Sequence, residues 1–168
     1  ALLYRLACFG YGVWRRISDD IYYGFGHVYY RLKGDTRNAT RMKRINSIRP
    51  YTLVGRTGLL ATYHIASEVE KSNIDGSFVE CGVAKGGCSA LMAMVATDNG
   101  GDRKVWLFDS FEGLPEPTAE DAADVVEHPG EDRYSNALHK GYCLGTYDEV
   151  ERLLFSRLHL SKNNIFMI

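Results

Sequence analysis

The chain has 168 residues, 45% of them apolar and 24% charged, with a formal net charge of −1. This is the profile of one globular domain, not of a disordered, fibrous or collagen-like chain. No stretch approaches the roughly 20 uninterrupted apolar residues of a membrane-spanning helix, because Arg5, Arg15 and Arg16 break the apolar opening run. Cys8, Cys81, Cys88 and Cys143 are far apart, with neither CxxC pairs nor zinc-finger spacing, which points to reduced thiols in a cytoplasmic protein instead of a disulfide scaffold or structural zinc site.

The even charge balance hides a split. Residues 1–56 hold eleven of the twenty Lys and Arg but only Asp19, Asp20 and Asp35 as acids, a balance of +8 against −9 for the remainder. The same region is rich in aromatic residues: nine of the chain's twenty fall within residues 1–30, interleaved with Arg5, Arg15, Arg16 and Arg31. Such asymmetry predicts an α-helical basic and aromatic arm over 1–48, ahead of a second unit over 49–168. The arm suits packing on its own domain or in a homo-oligomer, or contact of residues 1–33 with an anionic membrane surface, where Tyr and Trp sit at headgroup level beside Arg. No nucleic-acid-binding motif accompanies the charge, so nucleic acid is not expected as a partner. Arg5 and the lack of a small-residue cleavage pattern argue against a signal peptide.

From Pro50 the pattern becomes regular. Leu59, Leu60, Tyr63, Ala66 and Val69 lie at helical spacing, with Asn73 and Gly76 as stops, predicting an amphipathic helix over 55–72 that covers a sheet. Residues 77–83 form a short β-prone run ending in glycine, Gly86-Gly87 opens a helix over 88–96, and residues 104–109 are a second strand, apolar until its terminal acid. Strand, helix, strand is a βαβ unit with a right-handed crossover. The stretch between Glu112 and Tyr142 is irregular, with Pro115, Pro117 and Pro129 and eight acids against Arg133 and Lys140. A segment of this length is expected to act as a lid. Thr146 and Glu149 then have capping-box spacing ahead of Val150, Leu153 and Leu154, and residues 165–168 read as a third strand.

Glu80-Cys81-Gly82-Val83-Ala84-Lys85-Gly86-Gly87 sits where a strand gives way to a helix, and there backbone N–H groups and the helix dipole favour an anionic or polar ligand. The dinucleotide fingerprint G-x-G-x-x-G needs its second glycine so that the backbone can approach a pyrophosphate, and position 84 is alanine. S-adenosylmethionine has no pyrophosphate and avoids this conflict. Its methionine portion would lie along the turn, and its ribose hydroxyls would suit Asp109 at the end of the second strand. Glu80 lies within an apolar strand, where an unpaired charge is costly. It is expected either to bind the ligand's ammonium group or to cap local backbone N–H groups.

Val79 to Gly87 followed by Trp106-Leu107-Phe108-Asp109-Ser110-Phe111-Glu112-Gly113-Leu114-Pro115 resembles the macrocin O-methyltransferase family, class I methyltransferases that modify sugar hydroxyls of macrolides and related natural products. Arg49-Pro50-Tyr51-Thr52 also fits, and the resemblance covers about Arg49 to Ile168. It implies a Rossmann-like α/β fold and S-adenosylmethionine as cofactor. The cofactor would be held by Glu80, Cys81, Gly82, Val83, Gly86, Gly87 and Ser89 on the first turn and by Asp109, Ser110 and Phe111 after the second strand. The acceptor would be a small-molecule sugar or glycoside. The resemblance also implies a magnesium ion (Mg2+) bound by aspartates on and after a fourth strand, one of them the general base. Those positions would follow Ile168, so the chain is expected to be part of a longer protein, truncated after its third strand, with no metal ligands or identified base of its own. The competing expectations are a non-catalytic cofactor-binding module and, disfavoured by Ala84, a nicotinamide-dependent oxidoreductase. His128 and His139 are candidate bases in the lid. His27, His64 and His159 read as structural, and Cys81, Cys88, Met92 and Met94 as packing residues.

Overall fold

The computed structural model describes residues 2–100, 102–118 and 140–168, without the side chains of residues 2–12, 15 and 16. The basic arm is helical. Helix α1 (Leu2–Leu32) is followed by a turn at Gly34, whose φ is +72°, and by α2 (Thr36–Ile48). Asp35 caps α2 by accepting from the Asn38 backbone N–H at 3.0 Å, which holds its carboxyl below the usual carboxylate range. A 3-10 turn (Arg49–Tyr51) carries Pro50, and α3 (Arg56–Lys71) matches the amphipathic helix expected from the sequence.

The βαβ unit is β1 (Phe78–Cys81), α4 (Gly87–Asp98) and β2 (Val105–Phe108). Helix α5 (Tyr147–Glu151) starts at the expected capping box, with Thr146 and Glu149 bonding reciprocally, and continues as a π-helix (Arg152–Arg157) for which the sequence carries no signal. Strand β3 (Ile165–Met167) completes a parallel sheet in the order β1-β2-β3, with Val105 opposite both Phe78 and Ile165.

One face of this sheet is covered. Phe78, Val105, Leu107 and Ile165 are buried in the same cluster as Leu91 and Met94 of α4 and Leu153 and Leu154 of the π-helix. On the other face Val79, Phe108 and Ile168 are exposed, and Trp106 stacks on Phe166 with ring centroids 4.4 Å apart. The strands read as apolar on both sides, but among the described residues only one side is packed, so their continuous apolar character reflects a second face that remains open here.

The arm does not stand apart from this core. Tyr23 of α1 and Met42, Ile45 and Ile48 of α2 are buried in the same cluster as the sheet residues. The charge split finds its physical reason at this seam. Arg37 reaches Glu68 of α3 at 3.4 Å, and Arg44 grips Asp98 at the end of α4 through both Nε and Nη2. Within the basic segment Arg49 meets Asp20 at 2.7 Å and Arg56 donates to Asp19 at 2.8 Å. Arg103 is the most enclosed of these cations: it pairs with Glu70 and donates to the carbonyls of Ile74 and Gly76, tying the α3–β1 loop to the foot of β2. Exposed pairs are each worth about 0–1 kcal/mol, so burial of the α2 side chains dominates and the charges set orientation. Ile45→Ala should therefore lower the unfolding free energy by roughly 2–5 kcal/mol in urea titrations, as for a fully buried aliphatic residue. A loss below about 1 kcal/mol would place α2 outside the core.

Candidate functional site

The site grows from the junction between β1 and α4. Gly82 continues the strand register by donating its N–H to the Phe108 carbonyl at 2.9 Å, and the chain then reverses through Gly82 (φ +83°), Ala84 (φ +47°) and Gly86 (φ +82°). Ala84 is the one residue of the three with a Cβ, and its left-handed conformation is costly for a side chain. Asp109 accounts for this conformation. Its Oδ2 accepts the N–H groups of Val83 at 2.6 Å and Ala84 at 3.1 Å, and its Oδ1 accepts that of Phe111 at 2.8 Å. The carboxylate at the end of β2 thus fixes the turn after β1 and begins the next one, where Phe111 (φ +56°) and Gly113 (φ +74°) are also left-handed. Ser110 closes that second turn by accepting the Glu112 N–H at 3.3 Å.

Glu80 lies on the covered face of β1, under α4. Its carboxylate accepts the hydroxyl of Ser89, which is fully buried, and is also bonded by the Ser89 backbone N–H at the start of the helix. Burial pushes the Glu80 carboxyl above the usual carboxylate range; the Ser89 bonds offset this in part and the Asp109 charge adds to it. Two alternatives were open for Glu80, and its contacts within the chain are those of a cap on nearby backbone. Asp109, expected at a ligand ribose, is also engaged by backbone, and sequence spacing gave no sign of those bonds across 25 and 26 residues.

The structure gathers Glu80, Gly82, Val83, Gly86, Gly87, Ser89, Asp109 and Phe111 around one junction. Cys88 is buried as a packing residue should be, but Cys81, read the same way from the sequence, is exposed with a free thiol, because it falls with Val79 on the uncovered face of β1. Gly86 and Gly87 are required by packing inside the fold. A Cβ on Gly86 would lie 2.9 Å from Val150 Cγ1 of α5, and one on Gly87 would lie 2.5 Å from the Tyr51 carbonyl oxygen. Sequence reasoning missed this role of residues 50–52, which cross the start of α4; Thr52 Oγ1 approaches Cys88 Sγ at 3.7 Å, and burial pushes the Cys88 thiol up. Phe111 meets the Tyr147 ring edge-on at 5.3 Å. His27 Nδ1 sits 2.9 Å from the Ala39 carbonyl oxygen, between the two arm helices. His128 and His139 and most of the expected lid lie outside the described residues. Among the described residues no three His, Cys, Asp or Glu side chains come together to hold a metal ion, and no helix is long and apolar enough to cross a membrane.

Residues 31–141 match the macrocin-O-methyltransferase (TylF) family. The chain belongs to this family. The match begins within α1, upstream of Arg49, where the resemblance read from the motifs starts. The chain is 30% identical over 132 residues to demethyldecarbamoylnovobiocin O-methyltransferase of Streptomyces niveus, covering 76% of this chain and 45% of that protein. It is 38% identical over 74 residues to 8-demethyl-8-(2,3-dimethoxy-alpha-L-rhamnosyl)-tetracenomycin-C 4'-O-methyltransferase of Streptomyces olivaceus, covering 44% of this chain and 28% of that protein. The fold is similar to that of the O-methyltransferase NovP, with a TM-score of 0.53 and 26% identity over 70% of this chain and 46% of NovP. The architecture is therefore the Rossmann-like α/β fold of a methyltransferase, and the chain spans less than half the length of these relatives.

The position of Glu80 makes stability depend on pH. Its folded-state pKa lies above the unfolded one, so the native state keeps the proton to higher pH. The resulting stabilisation is complete below the ordinary carboxylate range and is lost as pH rises through the raised folded value. Glu80→Gln, which cannot ionise, should match the wild type in acid and gain on it as pH rises toward neutrality in urea titrations. An equal difference between the two proteins at every pH would contradict burial as the cause of the shift.

Proposed function

We propose that the protein is an S-adenosylmethionine-dependent O-methyltransferase acting on a hydroxyl of a glycosylated small molecule, and that the β1–α4 junction forms the cofactor side of its site. The carrying observation is Glu80: a half-buried carboxylate beside a glycine turn, bonded by Ser89, and a cationic group would relieve the desolvation that those bonds leave. An α-ammonium group has the required charge, and the turn above offers a polar cradle at a helix start. Asp109 with Ser110 stands where ribose hydroxyls would lie. Three backbone N–H groups already occupy Asp109, so its main part is to hold the turn in shape, with capacity left for one further donor.

Bound S-adenosylmethionine supplies an electrophilic methyl group on a sulfonium. The chain's own residues hold and orient it: Glu80 toward the amine, the turn residues Cys81 to Gly87 along the methionine portion, and Asp109 to Phe111 toward the ribose. Orientation is the main contribution expected of this half of the site. The magnesium ion and general base implied by the family find no donor set among the described residues, so no step here runs through them. The relatives' names, both O-methyltransferases and one of them specifying a rhamnosyl substrate, support a glycosylated acceptor. Ala84 supports a ligand without pyrophosphate over a nicotinamide dinucleotide, because its methyl group stands where the fingerprint requires none.

Calorimetric titration of the intact protein with S-adenosylhomocysteine and, separately, NAD tests this reading. Binding of the first and not the second is expected, and Glu80→Gln should weaken it by roughly 1.5–3 kcal/mol, the scale of a hydrogen bond to a charged group. NAD binding, or no binding of S-adenosylhomocysteine, would overturn the assignment.

A further inference from the structure

Helix α1 carries a feature that the cofactor site does not use. Trp14, Ile17, Ile21, Phe25, Val28 and Leu32 recur at steps of three and four along the helix, which places them on one face. That face is exposed: Trp14 at 68%, Phe25 at 73% and Leu32 at 83% of their full surface, with Ile17, Ile21 and Val28 about half exposed. The opposite side of the same helix is docked, through buried Tyr23 and through Asp19 on Arg56 and Asp20 on Arg49. The stripe contains no charged residue. Ile21, Phe25, Val28 and Leu32 of the stripe themselves line an apolar groove of about 560 Å3, which Tyr29 and Met42 of α2 help to form.

We propose that this stripe joins two copies of the chain, α1 against α1. Aromatic side chains present roughly 150–250 Å2 each when fully accessible. With Tyr29 at 57%, the exposed fractions along the stripe and its rim then amount to about 800 Å2 per copy, the share one partner gives to a standard-size interface. This exceeds what a monomer leaves open as a single patch without a use. A two-fold contact places the same patch on both sides, and a neutral apolar stripe that itself walls an apolar groove is complementary to itself, side chains of one copy seating in the groove of the other. Arg49 and Arg56, the cations that the body brings against α1, are engaged by Asp20 and Asp19, and the cations of α1 itself, Arg31 among them, lie outside the stripe, so an uncharged stripe favours a second copy over an anionic lipid surface.

Sedimentation velocity of the intact protein tests the proposal. The wild type should sediment as a two-copy species at micromolar concentration, and Ile21→Glu with Phe25→Glu should halve the apparent mass at the same concentration. Because both residues are exposed in a single copy, the variant should keep the wild-type circular dichroism spectrum, and Ile21→Leu with Phe25→Leu should keep the two-copy species. A wild type that sediments as one copy, or a two-copy species indifferent to the two glutamates, would overturn the proposal. So would co-sedimentation of one-copy protein with vesicles of phosphatidylcholine and phosphatidylserine, which would assign the stripe to a membrane surface.

Discussion

The carboxylate of Asp109 holds together the part of the molecule on which any ligand chemistry depends. It is brought to the C-terminal end of β2 by the parallel register with β1, and there it accepts the N–H groups of Val83 and Ala84 from the neighbouring turn. Without that acceptor two backbone donors at a tight turn would lose their partner, and so would the left-handed conformation of Ala84. The turn in turn sets the start of α4. α5 and the 50–52 segment can close over this start only because Gly86 and Gly87 carry no Cβ, and Glu80 below meets Ser89 in the first turn of the helix. One side chain therefore couples two strand ends, two left-handed turns and a helix N-terminus.

A second constraint is the seating of the helical layer. The basic region and the acidic remainder are complementary surfaces of one folded unit at Arg37–Glu68 and Arg44–Asp98, while Tyr23, Ile45 and Ile48 complete the core that β1, β2 and α4 begin. Apolar burial supplies most of the stabilisation, and the ion pairs select the angle at which α1 and α2 lie. That angle turns one face of α1 inward and leaves the opposite face, with Trp14 and Phe25, open.

The elements that local chemistry determines were legible in the sequence. The β-prone run at Phe78–Cys81, the glycine turn, the helix that follows, the strand ending at Asp109 and the reciprocal cap of Thr146 and Glu149 all depend on residues within a few positions of one another. The features that escaped depend on distant contacts. Nothing near Asp109 in sequence says that its oxygens face Val83 and Ala84, nothing near Gly87 says that the Tyr51 carbonyl passes over it, and nothing near Leu153 and Leu154 says that the turn burying them in the core is π-helical. Glu80, an acid within an apolar strand, has two readings from sequence alone. Its capping contacts lie within the chain, whereas a bond to an ammonium group depends on a ligand.

Amide hydrogen exchange in the unliganded protein, compared between the wild type and Asp109→Ala, tests most directly whether this carboxylate organises the site. In the variant the Val83, Ala84 and Phe111 amides should lose their protection while the amides of α4 from Ala90 onward keep theirs, a local release of the turn within an intact fold. Unchanged protection at Val83 and Ala84 would contradict it, because the turn would then hold its shape without the acceptor at the end of β2.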